Sequence, residues 1–318
     1  TDDMYDLPEK IIGKSDERTE LRASLDYERS DRLRTEMEEL GYMVEDAKDY
    51  STIRLKDSSE IREERWKTIS SSSEIASKVF SESVVPVTVG VVVNGYPDDT
   101  QRCVSSLIKW TESDQTEIIV IDNGSTDLTG ELLEEMTKDQ ENLHILHADH
   151  TLGDGSAKNI LLKMAQGEIF VLLDPSVEIK GNFIKPIQGL LKDPEVGIAG
   201  LAGLKTEDLM HFHDGEGESG QVDAMQGYCF ALRREDLKKV GLMRESFRYY
   251  RNLDLDYSFQ FKEQGLSIIA DHTLPMELHE HRGWTALSEG ERDELSKKNY
   301  GRFLKKWRGR TDLLISNK

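Results

Sequence analysis

A chain of 318 residues with 37% apolar and 32% charged residues is long enough for one large domain or two ordinary ones. Lys and Arg number 41 against 61 Asp and Glu, a net charge of −20. A field of that sign repels phosphate backbones and excludes nucleic-acid binding by general electrostatics. No run of 18 apolar residues occurs, so no membrane span is expected, and the polar opening Thr1 to Glu9 does not read as a signal peptide. Cys103 and Cys229 stand 126 positions apart and are expected to be reduced and buried, as in a cytoplasmic protein.

Residues 1–83 hold 22 acidic and 14 basic residues. They read as a charged helical N-terminal region and linker, an appendage packing on the main domain or on a second copy of the chain. Residues 17–40 predict helix in two segments meeting near Asp26, with Leu33, Met37 and Leu40 on one stripe and Gly41 as the stop. The stretch 26–55 is similar to the tail of cysteinyl-tRNA synthetases through Asp26-Tyr27, Asp31-Arg32-Leu33-Arg34, Leu40-Gly41 and Val44-Glu45-Asp46. No tRNA function is taken from it. Serines 70–73, 81 and 83 read as linker.

From Val84 the texture changes. Apolar runs at 84–93, 117–122 and 169–174 predict strands buried on both faces, with shorter candidates at 196–201 and 267–270. Helical stretches at 100–110, 129–138 and 157–165 lie between them. This alternation predicts an α/β domain over residues 84–285, a doubly wound, Rossmann-like, mostly parallel sheet. Residues 286–318 form a basic tail. Tyr300, Phe303, Leu304 and Trp307 fall at helical spacing beside Lys297, Lys298, Arg302, Lys305, Lys306, Arg308 and Arg310. This amphipathic helix either docks on the domain or contacts a membrane surface.

Asp122 and Asp174 each end a buried apolar run, where open α/β sheets bind ligands. Asn123 to Asp127 and Asp174-Pro175-Ser176 are also ordinary turn sequences. The turn Gly153-Asp154-Gly155 precedes a helix carrying Lys158, and its amides suit a phosphate.

Together these motifs resemble the nucleotide-sugar-dependent family 2 glycosyltransferases of GT-A fold, over Val87 to Gly283. The match runs through Val87 to Asp99, Glu117-Ile-Ile-Val-Ile-Asp-Asn-Gly-Ser-Thr-Asp127, Ala157-Lys158-Asn159 and Phe170 to Val177. It continues through Gly227 to Glu235, Tyr249 to Leu255 and Leu278-His279. The resemblance implies a nucleotide-diphospho-sugar donor, with Asp122, Asn94 and Tyr96 at the base and Gly153 and Lys158 near the diphosphate. It places Asp174 at the ribose and at a Mn2+ or Mg2+ ion held with Ser176 and His279. It implies an inverting transfer to a sugar, lipid-linked or protein hydroxyl, with a general base on the acceptor side.

Two positions depart from the family pattern. The Asp-x-Asp motif reads Asp174-Pro175-Ser176, and the Glu-Asp-x-Asp motif reads Arg251-Asn252-Leu253-Asp254. Asn252 cannot take a proton, which leaves Asp254 and Asp256 as candidate bases, or Asp254 as a brace of its helix. The two share a face only if the segment is extended. Expectation therefore divides between a glycosyltransferase and a nucleotide-sugar-binding scaffold that has lost its carboxylates. A nucleotidyltransferase would want a basic residue that Asn94-Gly95-Tyr96-Pro97 lacks. His144 and His147 fall on opposite faces of a predicted strand, so they form no metal cluster. The loop His211 to Glu218 reads as a solvated acceptor loop or a cation site. The expected location is cytoplasmic, with peripheral contact at the inner membrane face through the tail and self-association through the N-terminal helices.

Overall fold

A computed structural model describes residues 8–47, 51–56, 66–112, 115–215 and 217–317. Glu216 of the His211 to Glu218 loop lies outside the described residues. The chain divides into two compact units, Thr1–Lys67 and Thr68–Lys318.

In the first unit, helices α1 (Glu9–Ala23) and α2 (Tyr27–Glu39) meet at Asp26, whose carboxylate caps α2 by accepting the Arg29 amide at 3.2 Å. The hairpin β1 (Tyr42–Asp46) and β2 (Ser51–Leu55) pairs antiparallel. Ile11, Met37 and Val44 form a small core. Leu40 is exposed, so the predicted apolar stripe is only partly used. A buried Arg18 and its neighbour Arg22 bind Asp46, which holds that carboxylate well below its ordinary pKa.

The second unit begins earlier than its composition suggests. Strand β3 (Thr68–Ile69) adds in parallel beside a strand at 143–148. Arg234 donates to the carbonyls of Lys78 and Val79. Residues 68–83 therefore belong to the α/β unit and are not a free linker. The remaining strands are β4 (Val85–Val93), β5 (Thr116–Asp122), β6 (Leu143–Ala148), β7 (Gly167–Leu173), β8 (Val177–Ile179), β9 (Val196–Gly200), β10 (Gly203–Lys205), β11 (His213–Asp214), β12 (Gly220–Gln221), β13 (Ala224–Met225), β14 (Cys229–Arg233), β15 (Ser267–Ala270) and β16 (Met276–Leu278). The helices are α3 (Pro97–Trp110), α4 (Thr129–Thr137), α5 (Asp154–Met164), α6 (Ile184–Leu190), α7 (Arg234–Val240), α8 (Leu253–Glu263), α9 (Arg282–Thr285) and α10 (Glu289–Trp307).

The central sheet runs β12-β15-β9-β14-β7-β4-β5-β6-β3. Its β7-β4-β5-β6 heart is parallel, while β14 inserts antiparallel between β7 and β9. Alternate valines of β4, from Val87 to Val93, enter one core; Gly90 on the opposite side meets Phe170 and Leu161 of the other. The two apolar layers need helices on both faces, which is the doubly wound arrangement. The tail belongs to the same unit: Phe303 and Trp307 of α10 are fully buried in its core. Cys103 and Cys229 are both free and buried.

Candidate active site

The carboxyl ends of β4, β5 and β7 open onto one edge of the sheet. Asn94 follows β4 and donates its side-chain amide to the Asn123 carbonyl at 2.5 Å and to Thr151 at 3.2 Å. Gly95 donates to the Ser125 hydroxyl at 2.7 Å and Tyr96 to Asp127 at 2.9 Å. Tyr96 accepts a left-handed backbone, φ 59°, to start α3. The turn after β5 needs Gly124, at φ 77°, because a Cβ there would lie 2.5 Å from the His150 carbonyl carbon.

Two cavities lie beyond these ends. The smaller, about 360 Å³, is lined by Asn94, Tyr96, Asn123, Gly153, Asp174 and Ser176, with Arg248 and Arg282 also on its wall. The larger, about 880 Å³, takes Lys158, Asp254, Tyr228, Trp284, Lys297 and Tyr300. Asp174, Tyr250 and His281 line both. Tyr250 stacks on His281 with ring centroids 4.4 Å apart. His281 Nε2 lies 3.3 Å from Asp174 Oδ2.

The electrostatics of the shared wall are coupled. Burial alone would raise the Asp174 pKa, but the His281 hydrogen bond and charge and the Ser176 donors outweigh it and lower it. Burial opposes charge on His281, and Asp174 more than compensates, raising the imidazole above its ordinary value. Ser176 donates both its amide and its hydroxyl to Asp174 Oδ1. Lys158 is bound by Asp154 at 2.7 Å. Burial would lower its pKa; Asp154, Asp254 and Asp174 outweigh that and raise it. Asp254 accepts the amides of Gly227 at 3.1 Å and Leu255 at 2.9 Å. Burial raises its pKa, with Lys158 and those amides opposing.

Residues 88–251, just over half the chain, match the sequence profile of glycosyl transferase family 2. The chain belongs to that family. Over 168 residues it is 27% identical to the beta-monoglucosyldiacylglycerol synthase of Nostoc sp., covering 52% of this chain and 35% of that one. It is 28% identical over 97 residues to glycosyltransferase GlyG of Streptococcus pneumoniae, 30% of this chain and 32% of that one. The matched stretches thus span about a third of these relatives. The fold is similar to that of GalNAc-T7, solved with UDP, GalNAc and Mn2+, at TM-score 0.60 and 19% identity over 73% of this chain and 50% of that one. It is also similar to a mannosyltransferase of Pyrobaculum calidifontis solved with GDP-Man and Mn2+, at TM-score 0.57 and 18% identity over 76% and 71%. The fold is GT-A.

Within this family 2 chain, several residues sit elsewhere than the motifs imply. Asp122 is fully buried beneath the site and lines neither cavity. Its oxygens accept from Ser125 and face His147 Nδ1 at 3.0 Å, so it fixes the loop while Asn123 reaches the cavity. His147 is buried and His144 exposed, as strand alternation predicts. The amides of Asp154 and Gly155 are taken by the carbonyls of Arg248 and Phe247, each at 3.0 Å, which leaves neither for a phosphate. His279 turns to Glu178, at 2.9 Å, and away from Asp174. With Glu277 it forms a cluster that already holds Lys180 and lines neither cavity. His281 lines both cavities and His279 neither, so the two histidines do not serve one site.

Asp256 is corrected as well. The segment is helical from Leu253, so Asp254 and Asp256 diverge. Asp256 is fully buried and bound by Arg244, Gln260 at 3.0 Å and the Trp307 indole at 2.8 Å. It braces α8 against α10. Arg248 and Arg282 were not picked out from the sequence, where Asn123 reads as part of the turn after Asp122 and His281 as a residue alternating with His279 on a short extended stretch.

Asp174, Ser176 and His281 fit a divalent cation. Their donors are hard oxygens and an imidazole, and His281 Nε2 and Asp174 Oδ2 converge to 3.3 Å on the wall shared by both cavities. No described helix is long and apolar enough to cross a membrane.

Proposed function

We propose that this chain transfers a sugar from a nucleoside-diphosphate donor to an acceptor hydroxyl, with inversion at the transferred carbon. The observation that carries the reading is the pair of cavities meeting at Asp174, Tyr250 and His281. The smaller suits the donor, with Asn94, Asn123 and Tyr96 around the base and Arg248 and Arg282 toward the diphosphate. The larger suits the acceptor, with Asp254 in its wall.

Asp174 and His281, with Ser176, would hold Mn2+ or Mg2+, which when bound neutralises charge developing on the diphosphate leaving group. Arg248 and Arg282 add to that neutralisation. Tyr250 fixes the His281 ring by stacking. Asp254 takes the acceptor proton, and its raised pKa makes it a better proton acceptor than an ordinary carboxylate. Single displacement, with Asp254 as base and the diphosphate leaving on the opposite side, is what the family resemblance implies.

The acceptor classes in this reading are a sugar, a lipid-linked or a protein hydroxyl. The tail enters as a basic surface and not as an inserted helix, since Phe303 and Trp307 are spent on the core. Exposed Leu25, Tyr27 and Leu55 support self-association through the N-terminal unit. The scaffold alternative draws on Ser176 and Asn252, and Asp254 in the acceptor cavity counts against it.

A panel of UDP, GDP and dTDP sugars, with and without Mn2+, tests the proposal by thermal shift and donor hydrolysis. The matching donor with Mn2+ is expected to stabilise the chain by about 2.7 kcal/mol at a hundredfold excess over Kd. Stabilisation without turnover to any hydroxyl or to water would leave the scaffold. No stabilisation by any member sinks both readings.

A further inference from the structure

On and beside the wall of the larger cavity stand three cations that form no ion pair among the described residues. Arg251, in its wall, lies with its guanidinium 4.4 Å from the centroid of the Trp284 indole, and Arg292 lies 4.8 Å from the same centroid. Lys297 stands on the same wall. Among the described residues none of the three forms an ion pair, whereas Arg233, Arg244 and Arg310 each hold a carboxylate. In a chain of net charge −20, unpaired cations on one ring are conspicuous, because two guanidinium groups repel each other unless an anion joins them.

Asp174, Asp214 and Asp254 line the same cavity, yet none forms an ion pair with these three cations, and each is held by other donors. Asp174 accepts from Ser176, Asp214 from Gln226 at 2.5 Å and Asp254 from Gly227 and Leu255. Buried donors in the same region are left over: Arg292 Nε and the Ser296 hydroxyl have no partner among the described residues, and Ser296 lines the cavity. Arg251 also stands where the resembled motif carries Glu, so the acceptor side has exchanged an anion for a cation.

We propose that the acceptor carries an oxyanion, a phosphate monoester or a carboxylate, held by Arg251, Arg292 and Lys297 beside Trp284 while its hydroxyl reaches Asp254. Guanidinium forks match the paired oxygens of either group, and the indole against which both lie orders them. This deepens the sugar-transfer reading and rests on it.

The test is a calorimetric titration of the full chain, without nucleotide sugar, against glucose, glucose 6-phosphate and glucuronate. At least one anionic sugar is expected to bind tenfold or more tightly than glucose. The phosphate and carboxylate arms tell the two oxyanions apart. Arg251→Gln and Arg292→Gln are each expected to remove most of that preference at unchanged melting temperature, and Lys298→Gln, on the exposed face, to keep it. Equal affinity for all three sugars, binding of none, or an Arg251→Gln and Arg292→Gln pair that both retain the preference overturns the proposal. So does displacement of glucose 6-phosphate by UDP, which would assign the cluster to the donor. The titration uses no donor, so a chain that binds the anion but turns over no nucleotide sugar removes the sugar-transfer reading alone.

Discussion

Asp254 and Asp256 differ by two positions and by everything that decides chemistry. Asp256 is fully buried under an arginine, an amide and an indole, whereas Asp254 faces the larger cavity with its pKa raised by burial. Asp254→Asn is expected to cut turnover about 10²–10⁴-fold while leaving donor affinity intact, as single-turnover transfer beside nucleotide titration would measure. As the proposed base, Asp254 would be inactive when protonated, so kcat/KM is expected to fall as pH drops through its pKa, with that limb above the ordinary aspartate range. Lys158 lowers this pKa, so Lys158→Met should move the limb upward in the pH–rate profile. The histidines give a second contrast. His281→Ala is expected to abolish Mn2+ binding in the presence of nucleotide and His279→Ala to preserve it, by calorimetry; the reverse pattern would return the metal role to His279. These distinctions were only half legible. Asp174 and Asp254 stand out in the sequence as polar residues ending or starting apolar elements. The burial of Asp122 was hidden because it depends on Ser125, in its own turn, and on His147, on the neighbouring strand.

At the scale of elements, the parallel strands were readable because burial on both faces writes an unbroken apolar run, as in Val85–Val93 and Thr116–Asp122. The antiparallel β14 was not, since Cys229–Arg233 is short and its direction is set by the return of the chain, which no local pattern records. Helix α10 was legible as amphipathic, but not where its apolar face goes. Phe303 and Trp307 are fully buried, Phe259 meets both rings, and Tyr300 donates to the Leu209 and Met210 carbonyls. The helix thereby joins the 206–215 loop to α8 and supplies Ser296, Lys297 and Tyr300 to the larger cavity. Trp307→Ala is expected to cost about 3–5 kcal/mol, a fall in melting temperature on the order of 10 °C. It should also weaken acceptor use more than donor binding. An unchanged melting temperature would mean that α10 leaves this surface in solution.

The whole molecule is two units whose cores share no residue: one cluster is built from Ile11, Met37 and Val44, and the other two begin at Ile69 and Val87. Every residue lining the two cavities lies between 92 and 300. A chain of residues 68–318 is therefore expected to fold and to keep donor hydrolysis within about twofold of the full chain. Aggregation, or loss of the thermal transition, would tie the N-terminal unit to the stability of the second. The division near 67 was displaced in the sequence reading because residues 68–83 are serine-rich, and their attachment relies on backbone groups, which composition does not report. The distribution of the cavity walls along the chain has a consequence for substitution. Apart from the shared stretches 248–250 and 280–287, the smaller cavity is lined from residues 92–176. Most of the larger comes from residues 204–228, 250–255 and 281–300. The two walls are thus encoded on largely separate stretches of the chain, so substitutions in residues 204–228 are expected to alter the proposed acceptor preference while leaving the proposed donor preference unchanged.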